Sequence, residues 1–215
     1  MRTQINKICI IQYDANGNNI SSSDGRTLVY STLDKVIEIN KGGHQVTFAY
    51  SPDRKRYRRI DRNSSGQTKT TYYLGAVEII DNSNGQREYK RQLGDAIETI
   101  RYQNNSFVEQ TTHYLLQDHL GSIEVITDRL GNIEQELSFD AWGKRRSASD
   151  WQAVLKDAQN KPLVPNAFSS LTNITSRGYT GHEMVDDVDI IPVSVRMYDS
   201  GLGWFSQSDP FIQPP

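Results

Sequence analysis

Cysteine occurs once in the 215 residues, at Cys9. An internal disulfide and a cysteine-based zinc site are therefore excluded. Apolar residues are sparse, at 36% of the chain, and the mean hydropathy is -0.64. No apolar run approaches the roughly 18 residues that a bilayer-spanning helix needs. Near the start, Arg2 and Lys7 precede only Ile8-Cys9-Ile10-Ile11, which is too short for the apolar core of a signal peptide. Neither charge sign dominates: 24 Lys and Arg face 26 Asp and Glu, for a net charge of -2. That balance argues against a nucleic-acid or polybasic membrane binder that uses its whole surface. Disorder is argued against by 11 Tyr, 6 Phe and 3 Trp spread along the chain.

Most of what is present repeats with period two. Val46, Phe48 and Tyr50 alternate with Gln45, Thr47 and Ala49, and Val193, Val195 and Met197 alternate with Ser194 and Arg196. Successive strand side chains point to opposite faces, so these segments predict strands with one wetter face. Between them lies turn chemistry: Asn16-Gly17-Asn18, Asp24-Gly25, Gly42-Gly43, Ser65-Gly66, Asn84-Gly85 and Leu130-Gly131-Asn132. The turns recur roughly every 15 to 20 residues, as in a chain of hairpins. Asp14-Ala15-Asn16-Gly17-Asn18 is echoed by Asp128-Arg129-Leu130-Gly131-Asn132. Spacing alone leaves two all-β architectures open, a stack of repeated hairpins and an ordinary sandwich. One segment breaks the pattern. Ser149 and Gln152 fit a capping box, and Trp151, Val154, Leu155 and Ala158 form a helical stripe, which predicts one short helix over 149–159. It sits inside a polar insertion over about residues 147–177.

Three ordered motifs carry a resemblance. The first is Asp118-His119-Leu120-Gly121-Ser122. The second is Phe139-Asp140-Ala141-Trp142-Gly143. The third is Tyr179-Thr180-Gly181-His182-Glu183 with Arg196-Met197-Tyr198-Asp199, Gly201-Leu202-Gly203-Trp204-Phe205 and Ser208-Asp209-Pro210. Together they closely resemble the Rhs/YD-repeat family, in its Rhs repeat-associated core, and Tyr13-Asp14-Ala15-Asn16-Gly17 resembles a YD repeat. The resemblance implies an all-β fold, a curved antiparallel sheet of stacked hairpins from a β-spiral shell. It implies hairpins over 1–112 and the core over 113–215. Proteins of this family are secreted by bacteria or sit at their surface, as polymorphic or insecticidal toxins, and the shell encloses a C-terminal toxin domain. The partners it implies are an upstream repeat wall and that toxin. The chain is too short to enclose a toxin and lacks the family's cleavage motif after Asp209-Pro210, so it is expected to be a fragment. Open sheet edges imply self-association.

Many family members are also aspartyl autoproteases, which makes Asp209 the candidate catalytic residue. Such a site needs a second carboxylate, expected downstream. The expected function is therefore structural, with an autoprotease half-site as one alternative and a glycan- or protein-binding surface as another. Asp118, His119 and Ser122 have the letters of a hydrolytic triad, but five adjacent residues do not form the usual line-up. His119 is expected to be packed and hydrogen-bonded, and Gly121 to serve a turn. Tyr13, Asp14, Gly17, Asp140, Gly143, Gly181, Arg196, Tyr198 and Asp199 are read as architectural motif residues. His113, His119, His182 and Glu183 lack zinc-protease spacing, so no metal and no cofactor is expected. The run Arg54-Lys55-Arg56-Tyr57-Arg58-Arg59 is expected to be solvated or paired with acids on neighbouring strands rather than to bind nucleic acid.

Overall fold

The computed structural model describes residues 10–152 and 174–209. Its main body is an antiparallel sheet of thirteen strands in which each strand pairs with its neighbours in sequence. These are β1 (Ile11–Tyr13), β2 (Asn19–Ser22), β3 (Thr27–Tyr30), β4 (Val36–Lys41), β5 (His44–Tyr50), β6 (Arg56–Arg62) and β7 (Thr68–Leu74). They continue as β8 (Val77–Asn82), β9 (Gln86–Leu93), β10 (Ala96–Gln103), β11 (Ser106–Gln117), β12 (Ile123–Thr127) and β13 (Ile133–Glu136). Two small sheets follow, one of β14 (Ser138–Phe139) and β15 (Arg145–Arg146), the other of β16 (Ile190–Val193), β17 (Arg196–Asp199) and β18 (Trp204–Phe205). The fold is therefore all-β, as the alternation predicts. No helix among the described residues is long and apolar enough to cross a membrane.

A five-residue turn recurs along the chain. In the copies that begin at Asp14, Asn63, Asp118, Asp128 and Asp140, the first N–H donates to the fifth carbonyl, and the fourth N–H donates back to the first carbonyl. The first side chain accepts the N–H groups of the third and fifth residues. Hydrogen bonds from the Asn18 side chain and backbone hold the Asp14 carboxyl below its ordinary range. The fourth residue must be left-handed, so it is Gly17, Gly66, Gly121, Gly131 or Gly143. Ser31 and Ser51 open the same backbone turn with Asp34 (φ 54°) and Arg54 (φ 63°) in the glycine place.

The glycines differ in what surrounds them. A Cβ on Gly121 would meet nothing nearer than 3.9 Å, whereas one on Gly143 would lie 2.5 Å from the Tyr179 ring. Gly121→Ala is expected to cost about 1 kcal/mol from backbone strain alone. Gly143→Ala adds a steric clash and is expected to cost about 3 kcal/mol. Urea denaturation of the two variants checks the difference.

One face of the sheet is buried or half-buried over most of its width, but its chemistry changes. Cross-strand partners place Leu28, Ile39 and Val46 side by side, with Phe48 beside Arg59 in the next row. The row continues from Arg59 through Thr71 and Ile80 to Glu88. Past it, Ile97 and Leu115 are apolar again and meet Ile126. On the other face, Tyr89, Tyr102 and Phe107 stack edge to face at 5.9 and 6.0 Å. Tyr30 and Tyr50 tie successive strands together by donating to the carbonyls of Asn19 and Val36.

The helix expected over 149–159 lies mostly outside the described residues. Its first four residues do not begin a helix. Trp151 is left-handed at φ 59° and donates to the Ser147 carbonyl, and Asp150 rather than Ser149 accepts the Gln152 N–H. The capping-box letters thus serve a loop closed between Ser147 and Gln152. Strand β11 runs unbroken across residues 112 and 113.

Candidate functional site

Residues 174–209 form an arm that lies on the buried face. Val185, Val188, Ile190 and Met197 of the arm share one apolar cluster with Leu28, Val36, Ile39, Val46 and Phe48 of the sheet. The arm is acidic. It carries Glu183, Asp186, Asp187, Asp189, Asp199 and Asp209 against Arg177 and Arg196. The surface it covers supplies the matching cations.

Glu183 is the centre of the docking. Its side chain is 5% exposed. Arg59 donates to it at 2.6 Å, Arg56 pairs with its other oxygen, and the Tyr73 hydroxyl donates at 2.7 Å. Burial pushes the carboxyl up, but Arg59 and Arg56, with the Tyr73 hydrogen bond, outweigh it and hold the pKa at about 2. Arg59 also grips Asp61 at 2.9 Å. The Arg56 guanidinium lies 4.6 Å from the Tyr73 ring centre and 5.4 Å from that of Phe48. The arginine run is thus divided: Arg56 and Arg59 bind an acid from far along the chain, Asp61 lies on their own strand, and Arg54 and Lys55 remain exposed.

Further arginine and lysine ion pairs fasten the arm. Arg26, held by the turn from Ser22, pairs with Asp199 in a pocket where both side chains are 2% exposed, and it donates to the Val188 carbonyl at 3.3 Å. The other Asp199 oxygen accepts the N–H groups of Gly201 and Leu202. Lys41 reaches Asp189 at 3.0 Å and also pairs with Asp24. Arg145 holds both oxygens of Asp186, and Arg177 reaches Glu78 at 3.4 Å.

The three motifs read from the sequence meet under this arm. Ser122 is buried and its hydroxyl accepts the Thr180 N–H, while the Gly178 carbonyl accepts the Ile123 N–H. Tyr179 lies over Gly143 and donates to the Ala141 carbonyl. Gly178 packs so tightly that a Cβ would come 2.7 Å from both Phe139 and Met184. Gly181 is left-handed in a turn of its own, and Tyr198 stacks on Phe205. Asp14 and Gly17 shape the first turn, and Tyr13 is exposed. His119 is also exposed, which corrects the expectation of a packed side chain. The turn needs only the Asp118 carboxylate and the left-handed Gly121, so the residue between them is free to point outward.

The catalytic candidate Asp209 is half exposed and pairs with Arg196 at 3.2 Å. Arg196 in turn covers the Phe205 ring at 3.7 Å. His113 meets Glu134 at 2.8 Å, and His182 meets the Thr180 hydroxyl. Among the described residues no cluster of three or more His, Cys, Asp or Glu side chains is placed to hold a metal. Glu183 and Arg26 escaped the sequence reading as partners. The only available signal was an acid-rich stretch downstream of a basic run.

No protein-family model matches the sequence, and no curated protein matches it. Solved structures do. A crystal structure of TcdB2-TccC3 without its hypervariable C-terminal region aligns at TM-score 0.71 and 17% identity. The TcdB2-TccC3-Cdc42 structure aligns at TM-score 0.69 and 19% identity, and the Photorhabdus luminescens Tc holotoxin pore at 0.70 and 18%. Each alignment covers 92% of this chain but only 9 or 10% of the other, so the chain spans about a tenth of the length of the Tc toxin chains whose fold it shares.

Proposed function

We propose that this chain is a structural segment of a toxin-encapsulating β-shell of the Rhs type, from a bacterial secreted toxin system. Residues 1–112 would be repeat wall and residues 113–215 the associated core, with an upstream wall and a C-terminal toxin domain of a parent protein as partners. The observation that carries this reading is the open sheet with its own acidic arm across the buried face. Such an arrangement builds a wall and lines it, and it engages the Asp209 carboxylate with Arg196. The fold shared with Tc toxin chains supports it.

A wall segment must be continued at its edges. Among the described residues β1 and β13 each pair with one neighbour only. On β13, Ile133 is 62% exposed. The isolated chain is expected to associate edge to edge, with sedimentation that depends on concentration. Ile133→Lys should shift it toward the monomer, because a charge on the edge opposes strand addition. A chain that stays monomeric at all concentrations would count against the reading.

A further inference from the structure

Beside the Glu183 cluster, the arm and the sheet enclose an open cavity of about 520 Å³. Its charged lining is Lys35, Arg54, Lys55, Arg56, Arg177 and Glu183. In a chain of net charge -2 this is a marked local excess of cations. Most of these charges are already matched. Arg56 faces Glu183, Arg177 faces Glu78, and Lys55 faces Asp53 at 3.2 Å. The single carboxylate of the lining, Glu183, is shared by two arginines.

Two cations are left over. Lys35 touches only the neutral Val195 carbonyl, at 3.5 Å, and Arg54 has no acidic partner among the described residues. They come from two different turns, those opened by Ser31 and Ser51. Partial burial, and then repulsion from Arg54, pulls the Lys35 pKa below its ordinary value. Arg54 also occupies, at φ 63°, the left-handed place that glycine fills in most of the other turns and Asp34 fills in the turn opened by Ser31. Two like charges that line one cavity repel each other, and an anion between them would offset that repulsion. A guanidinium and an ammonium that line the same cavity suit an oxygen anion of two charges, which one can grip in a bidentate way and the other as a point charge.

We infer that this cavity binds a small molecule bearing a doubly charged oxyanion, held by Arg54 and Lys35. The shared chemistry is that of a phosphate monoester or a dicarboxylate. Tyr50, Pro192 and Met197 supply the less polar part of the wall, against which the body of such a molecule would rest.

The test is calorimetric titration of the full chain with phenyl phosphate and, separately, with succinate, at an ionic strength fixed by sodium chloride. Saturable binding of one molecule per chain is expected for at least one probe, and the stronger of the two tells phosphate from carboxylate. Arg54→Gly is the informative variant, since glycine accepts the left-handed angle and leaves the turn intact. It and Lys35→Met should each weaken binding by about tenfold or more. Thermal unfolding of both variants without ligand reports whether the fold is kept. Absence of saturable binding by either probe overturns the inference, and so does unchanged affinity in the two folded variants.

Discussion

Glu183→Ala is expected to destabilise the protein by about 3–5 kcal/mol, the usual result of stripping a buried ion cluster of its acid. Arg59 is 3% exposed and keeps only Asp61, and Arg56 loses its single carboxylate. Glu183→Gln tests charge apart from shape, because the amide can still accept from Tyr73 but cannot balance two guanidinium groups. The sign of the pH dependence follows from the depressed carboxyl pKa, about 2 against 4.5. The Glu183 contribution is complete above pH 4.5 and is lost as the pH falls through 2. A shift of that size corresponds to about 3 kcal/mol. Denaturation curves between pH 7 and 2 should therefore converge: the gap between wild type and Glu183→Gln narrows in acid. A gap that stays constant with pH would show that Glu183 is not held as the anion.

Arg26→Met should have an effect of similar size, about 3–5 kcal/mol, but through the far end of the arm. It leaves Asp199 buried with two backbone donors and no cation. The change should loosen the arm before it melts the sheet. Hydrogen exchange is the measurement of choice, because one amide reports the docking at this end of the arm. Asn19 of the sheet donates to the Ser206 carbonyl of the arm. It should lose protection in Arg26→Met while the amides of β9 and β10 keep theirs. Uniform loss across the chain would mean that arm and sheet unfold as one unit.

Much of the sheet is legible in the sequence because its turns have few chemical solutions. A left-handed fourth residue favours glycine, and an aspartate or asparagine at the first position closes the loop with its own side chain. Asp14–Asn18, Asn63–Gln67 and Asp128–Asn132 therefore stand out from their residue types and spacing alone. Strands β4 and β5 are legible for another reason: one face is apolar. Strands β6 to β9 are harder, since Arg59, Thr71, Glu88 and Lys90 are polar residues on a buried face and blur the alternation. The docked arm was not legible at all. Arg26 and Asp199, or Arg56 and Glu183, lie more than a hundred positions apart, and no local pattern links them. The same limit explains Ser149 to Gln152, where a helix-start signature yields to a loop that a left-handed Trp151 closes.

The strict neighbour-to-neighbour order of the sheet also bears on how the chain acquires its shape. Every pairing in the thirteen strands spans one turn, so each hairpin closes a short loop and the sheet can grow as the chain is synthesised. The arm is different. It leaves the ribosome after every strand it covers, and its contacts with β3 to β6 close loops of more than a hundred residues. Until it arrives, the leucine and isoleucine rows of β3 and β4 and the guanidinium groups of Arg56 and Arg59 stand open to water and to other chains. Docking of the arm thus comes after the strands it covers have been made, and the interval before it is when chaperones or neighbouring strands compete for the same face.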